Sequence, residues 1–365
     1  LQGSAAALSG IVLSNCARNL ASSTASSDAS PSASGSSPAA DSKTLYVYSW
    51  TSYIDDDLLK DFEAKTGIKA IADTYDSNET MLAKMQAGGG AAYSIIYPSD
   101  YMVTQMVESN LLTPLDKSRL KGLDNLKSKW KSPIYDANNA HSIPAAWGTT
   151  GLMYDPKKLG DNITGFEYLW ANKDALNHKV TLVNDVREVM GATLKSLGYS
   201  YNSTKPAEVK AAYDKLVELK PAIASFMTNG WEDQLASGDL AISMAYSADA
   251  IALIDENPNL TFVIPEDGTS LWTDTMAIPK TAPNVDAAYA WINFMLQPEN
   301  SAKVVERRKF STPNDATFKL LPATIKNNKN LFPSEELLAK CEGIAPLPKD
   351  TTDLFDRYWT QLTSS

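Results

Sequence analysis

The stretch Leu45-Tyr46-Val47-Tyr48-Ser49-Trp50-Thr51-Ser52-Tyr53-Ile54-Asp55-Asp56-Asp57-Leu58-Leu59 decides the fold. Its first four residues form a strand-like run, and Asp55-Asp56-Asp57 opens a helix whose first-turn acids complement the helix dipole. That helix carries Leu58, Leu59 and Phe62 on one face and stops at Gly67. A second strand, Ile68–Ala72, precedes a helix opened by Asn78-Glu79-Thr80. A third, Ser94–Tyr97, is closed by Pro98 and leads to a helix over Met102–Val107. This β-α-β-α-β rhythm predicts an α/β layer with a mainly parallel sheet. The rhythm resumes with strands at Val180–Val183, Ala241–Ala245 and Phe262–Ile264. Helices fall near Asp185–Leu197, Ala207–Leu219 and Asp249–Ile254, and Val285–Arg308 is helical with a break at Pro298. There is no internal repeat, and the pattern reads as two α/β lobes.

Composition narrows the function. A chain of 365 residues, 44% hydrophobic and 21% charged, has room for two or three cores. Lys and Arg number 33 against 43 Asp and Glu, a net charge of −10 that argues against a nucleic-acid partner, whose footprint is a basic face. An acidic surface suits a cation, although acidity by itself more often serves solubility. Two histidines, His141 and His178, cannot furnish a multi-histidine metal site. Cys16 and Cys341 form no C-x-x-C pair; a disulfide between them is conceivable, and so few cysteines lean toward export. Phosphate-loop, nucleophile-elbow, EF-hand and H-E-x-x-H patterns are missing, and Gly88-Gly89-Gly90 reads as a helix stop. No cofactor and no metal are expected.

Residues 1–43 read as processing signal and tether. Ala5–Leu13 resembles the end of a signal-peptide apolar stretch, and Leu13-Ser14-Asn15-Cys16 resembles a lipobox, although Asn15 is a poor residue before the cysteine. Lipidation at Cys16 is one expectation, a plain secretory remnant the other. Ala21–Ala40 is nearly all Ser and Ala, too poor in apolar surface to offset its ordering entropy, and reads as a linker holding a globular body off a membrane. No later window has the roughly 18 consecutive apolar residues that a spanning helix needs.

Aromatic residues stand next to carboxylates at the ends of the predicted strands, where α/β sheets bind ligands. Trp50 and Tyr53 follow the first strand, and Ser99 and Tyr101 the third. Asp185 and Glu188 share one helix face, Tyr246 and Asp249 end another strand, and Trp272 and Asp274 precede Met276-Ala277-Ile278-Pro279. Taken singly, such aromatics usually belong to the core and such acids usually cap helices. Together they offer faces that attract cations and carboxylates that hydrogen-bond ammonium groups. Aromatic walls between those acids suit methylene stems, so an elongated polycation fits the set.

Several of these motifs resemble the spermidine/putrescine-binding proteins of polyamine ABC transporters. The resemblance is carried by Tyr46–Ile54, Tyr75–Met81, Pro98-Ser99-Asp100-Tyr101, Ile143–Gly151, Asp185-Val186-Arg187-Glu188-Val189 and Trp272–Pro279, in order from about Thr44 to the C-terminus. It implies the two-lobed periplasmic-binding-protein fold of type II, with ligand in the interlobe cleft. The implied lobes are 44–152 plus 275–318 and 153–274 plus 319–365. It further implies an extracytoplasmic receptor, not an enzyme, that delivers polyamine (putrescine, spermidine or spermine) to a membrane permease by hinge closure. By the same resemblance, Trp50, Tyr53, Tyr101 and Trp272 are the aromatic walls, with Thr51 and Ser99 as polar neighbours. Asp185 and Glu188 hold one amine and Asp274 the central one. Thr228 falls where the family has serine. Tyr246 replaces a usual tryptophan and Phe310 a tyrosine, losing a hydroxyl. Asp249 matches an acid of putrescine-preferring relatives, and Glu342 aligns approximately with a glutamine.

Other classes remain open on sequence. A ferric-ion receptor needs a tyrosine pair with acids, for which Tyr246 is the one candidate. An amino-acid receptor needs an arginine for a carboxylate. Arg187 is available, but a salt bridge with Asp185 and Glu188 is its expected role. A secreted hydrolase lacks a convincing nucleophile–base pair.

Overall fold

The computed structural model describes residues 43–364. The signal remnant, the Ser/Ala linker and Cys16, with any disulfide or lipid it carries, lie outside the described residues. The first unit follows the predicted rhythm. β1 (Thr44–Trp50) pairs in parallel with β2 (Lys69–Tyr75) and β3 (Ile95–Ile96). Helices α1 (Asp56–Thr66), α2 (Asn78–Gln86) and α3 (Asp100–Glu108) follow these strands in turn. Asp55 caps α1 by accepting from Leu58 N, and Gly67 ends it in the left-handed region at φ 71°. The cap of α2 is Ser77, one residue ahead of the expected start.

Among the described residues one nine-stranded sheet runs in the order β2-β1-β3-β9-β4-β7-β5-β6, with β8 (Thr261–Val263) on β4. On its far flank β5 (Val180–Leu182) is parallel to β6 (Ile223–Phe226) and β7 (Ile242–Tyr246). The sheet is thus parallel on both flanks, as the rhythm implied, and antiparallel in the middle. There β4 (Ser142–Tyr154) and β9 (Leu271–Ala277) pair with each other, and β4 continues against β7. Those two long strands tie the halves together, and the periodicity had not shown them. The stretch Val285–Arg308 is two helices, Val285–Leu296 and Pro298–Arg308, broken at the proline as expected.

Each half buries its own apolar face. Val47, Phe62, Ile143, Met276 and Trp291 belong to one core, and Val180, Val189, Met190, Leu216 and Phe355 to another. Tyr246 packs against both. The C-terminal ends of β1, β3, β5 and β7 consequently converge on one place. Among the described residues no helix is long and apolar enough to cross a membrane.

Candidate binding cleft

Loops at those strand ends enclose a cavity with about 580 Å³ of atom-free space. It is lined by Trp50, Thr51, Tyr53, Ser99, Tyr101, Asp185, Glu188, Thr228, Tyr246, Asp249, Trp272, Asp274 and Phe310, together with Ser52, Asn229 and Ile344. All the residues expected to contact a polyamine line it except one. Glu342 does not line the cavity. Its carboxylate accepts from Lys195 Nζ at 2.9 Å and Ser200 Oγ at 2.5 Å, so its two oxygens are taken. Burial pushes its pKa up, but those two bonds outweigh it and leave the group below its usual range.

The rings are held by backbone geometry and by each other. Trp50 Nε1 donates to Tyr97 O at 3.0 Å. Tyr53 stacks on Phe310 with centroids 4.0 Å apart, and Trp272 meets Tyr246 edge-on at 5.8 Å. A Cβ on Gly148 would lie 2.2 Å from Cζ2 of Trp272, so only glycine on β4 leaves room for that indole. The Trp272 Nε1 and Thr228 Oγ1 atoms are buried and find no hydrogen-bond partner among the described residues.

Asp274 sits at the centre. It lies two residues from Trp272 on β9, which puts both side chains on one face of the strand. Tyr53 OH donates to its Oδ2 at 2.6 Å, and Ser99 Oγ donates to its Oδ1 at 2.5 Å. Ser99 is itself fixed, its N–H donating to Asn78 Oδ1 at 3.1 Å. Asn78 Nδ2 also donates to Tyr101 OH at 3.1 Å, and that hydroxyl donates to Glu79 Oε1 at 3.2 Å. The Tyr75–Met81 motif therefore acts from behind the cleft wall, orienting two residues that line it.

Asp185 serves as a helix cap and also faces the cavity. It caps the helix Val186–Ser196, accepting from Arg187 N at 2.8 Å and Glu188 N at 3.0 Å, and it lines the cavity. Glu188 accepts from Ser270 Oγ at 2.8 Å. Arg187 does not make the expected salt bridge. Its guanidinium donates to Asn202 Oδ1 and Ala345 O and lies over the Tyr101 ring, 5.2 Å from the centroid. It does not line the cavity, which removes the arginine that an amino-acid ligand needs.

Among the described residues, none of Asp185, Glu188, Asp249 and Asp274 has a Lys, Arg or His nitrogen within 4.0 Å. Burial without a counter-ion disfavours the charged form. Burial, aided by the neighbouring Asp185, raises Glu188 to about 8. Burial raises Asp249 to about 7, with Glu232 adding and Arg308 opposing. Asp274 is raised to about 6, burial outweighing the Ser99 and Tyr53 bonds. Burial also raises Asp185, against its two backbone bonds. The Tyr246 phenol is pushed well above its ordinary value by burial and by Asp185 and Glu188. Among the described residues no group of three or more His, Cys, Asp or Glu is arranged to hold a metal.

The sequence matches the bacterial extracellular solute-binding protein family over residues 57–333. The chain belongs to that family. It is 35% identical to the spermidine/putrescine-binding periplasmic protein of Salmonella typhimurium, over 89% of this chain and 92% of the relative. It is 33% identical to the putrescine-binding periplasmic protein SpuD of Pseudomonas aeruginosa, over 90% and 94%. The fold is similar to a solved spermidine/putrescine ABC transporter protein of Listeria monocytogenes, described there as putative, with TM-score 0.82 and 38% identity over 88% of this chain and 98% of that one. These relatives are transport proteins and not enzymes. Ser52, Asn229 and Ile344 are the lining residues that the sequence reading missed. Ser52 lay inside a quoted motif, whereas Asn229 and Ile344 carry no local signal.

Proposed function

We propose that the cleft binds a linear polyamine and that the protein is an extracytoplasmic receptor presenting it to an ABC transporter permease. The observation that carries this reading is one cavity holding four carboxylates without a counter-ion, interleaved with aromatic rings. An alkyl polyamine supplies ammonium groups for the acids and methylenes for the rings, so it brings the counter-charge that these buried carboxylates lack. Asp274 receives a central amine, Asp185 and Glu188 receive a terminal one, and Trp50, Tyr53, Tyr101, Tyr246 and Trp272 form the box. Phe310 backs Tyr53, while Thr51, Ser99 and Thr228 line the polar remainder. Asp249 stands ready for a second terminal amine. Glu342, committed to Lys195, takes no part.

Residues 44–152 plus 275–318 and 153–274 plus 319–365 act as the two closing lobes, with β4 and β9 crossing between them and the ligand bridging acids from both sides. A thermal-shift panel with putrescine, spermidine, spermine, arginine and ferric citrate tests the reading. A ligand at a hundredfold excess over Kd stabilises the folded state by about 2.7 kcal/mol, well within detection. Shifts with polyamines alone support the proposal; shifts with arginine or iron alone refute it.

A further inference from the structure

Two polar groups of the cleft are left unused by an all-ammonium ligand. Trp272 Nε1 and Thr228 Oγ1 are buried without a hydrogen-bond partner among the described residues, and both residues line the cavity. Trp272 is 6% exposed. Other donors on the wall are already spent. The Tyr53 and Ser99 hydroxyls donate to Asp274, and that of Tyr101 donates to Glu79. Those bonds prepare carboxylates for a cation. The indole N–H of Trp272 does not, because it can only donate. A buried donor left unpaired carries its full desolvation penalty. A protonated polyamine consists of N–H donors and methylenes, so it offers that indole nothing. The partner of Trp272 Nε1 is an acceptor atom.

Both groups lie toward Asp249. A Cβ on Gly148 would meet Trp272 Cζ2 at 2.2 Å and Ser247 Oγ at 2.6 Å. The indole edge that carries Nε1 therefore borders the first turn of the helix Ser247–Glu256, which also carries Asp249. Thr228 stands in the loop after β6, where Gly230 N donates to Glu232 Oε2 at 2.8 Å, and the Glu232 charge reaches Asp249. Asp249 is itself partly answered from within the chain. The Ser52 hydroxyl donates to it, and the Arg308 guanidinium, whose Nε donates to Ser52 O, opposes its negative charge. The two ends of the cleft thus differ. One presents the carboxylates of Asp185 and Glu188. The other presents a single, partly compensated carboxylate together with an unmet N–H and an unmet hydroxyl.

We propose that the cleft also accepts mono-N-acylated polyamines, with the free ammonium at Asp185 and Glu188 and the acyl amide at the Asp249 end. This deepens the polyamine reading and rests on it. The amide oxygen accepts from Trp272 Nε1, and the amide N–H donates to Thr228 Oγ1. An unmodified terminal ammonium uses the same end through Asp249 and leaves the indole N–H unmet.

The test is calorimetric titration of N-acetylputrescine, n-heptylamine and spermidine into the unmodified protein, Thr228→Val and Trp272→Phe. The first two ligands match in length and carry one ammonium each; only the first has an amide. A neutral hydrogen bond is worth roughly fivefold in affinity, so two of them should favour N-acetylputrescine over heptylamine by about tenfold or more. Thr228→Val keeps the shape and deletes a hydroxyl without a partner, so its melting temperature should not fall. Trp272→Phe keeps an aromatic ring and deletes the N–H. In each variant the N-acetylputrescine-to-heptylamine ratio should drop by about fivefold, and Thr228→Val should weaken spermidine less than N-acetylputrescine. Heptylamine binding as tightly as N-acetylputrescine to the unmodified protein would assign the indole N–H to water and overturn the inference. A ratio that does not move in either folded variant overturns it too, as does spermidine binding with no measurable N-acetylputrescine binding. If spermidine itself fails to bind, the functional proposal falls; if spermidine binds and the amide confers no advantage, only the acyl site is lost.

Discussion

Replacing Asp274 by asparagine separates the two things that this carboxylate does. Its side chain is 7% exposed and receives hydroxyl hydrogen bonds from Tyr53 and Ser99. Asparagine keeps the shape and one accepting oxygen, and a hydroxyl can turn to accept from the new amide, so the local network survives with modest loss. What disappears is the charge. Truncating one partner of a buried, hydrogen-bonded charge pair costs about 2–5 kcal/mol, so polyamine affinity should fall by roughly 30- to 5,000-fold. Stability of the ligand-free protein should move the other way or not at all near pH 8, because an unpaired buried anion is a liability. Calorimetric titration and a thermal melt on the same sample read both quantities. Unchanged affinity in a folded Asp274→Asn protein refutes the central ammonium site. A drop in affinity accompanied by an equal loss of stability would instead assign Asp274 to the scaffold.

Further outcomes follow from the same geometry. In the ligand-free protein Glu188, Asp249 and Asp274 are raised to about 8, 7 and 6, so between about pH 4 and 8 the folded state holds more protons than the unfolded one. Their contribution to stability is present in acid and lost as pH rises through those values; melting curves from pH 5 to 8.5 should show the decline, and saturating spermidine should remove it. Gly148→Ala drives a methyl group into the Trp272 indole. Overpacking of this kind costs about 1–3 kcal/mol, and the displaced ring should weaken polyamine binding alongside the fall in melting temperature. Glu342→Gln should leave polyamine affinity within about twofold while losing the Lys195 ion pair, a partly exposed pair worth about 1 kcal/mol or less. A large loss of affinity would return Glu342 to the ligand.

The parts of the fold visible in the sequence are those set by local chemistry. Asp55 and Asp185 open helices that announce themselves, and Pro298 breaks a helix where proline must. The strand Ser142–Tyr154 did not announce itself. It contains Pro144, Gly148 and Gly151, residues of low strand propensity, and owes its existence to partners more than a hundred residues away on Leu271–Ala277. The cleft was legible because cation recognition demands acids and rings, which stand out at strand ends. Ile344 did not stand out, since an isoleucine in an irregular segment looks like any core residue. Glu342 was misplaced for the same reason: only the bridge between Ser270 and Glu342 fixes which residue of that segment faces the cavity.

The most direct test of the account is a calorimetric titration of spermidine at pH 7 in two buffers of different ionisation enthalpy. Carboxylates held partly protonated in the empty cleft must ionise to meet the ammonium groups. The account therefore predicts saturable one-to-one binding with net release of protons to the buffer, and affinity that climbs from pH 6 to pH 8. Absence of saturable binding by a folded sample, or binding with proton uptake and an affinity that falls over that range, would contradict it.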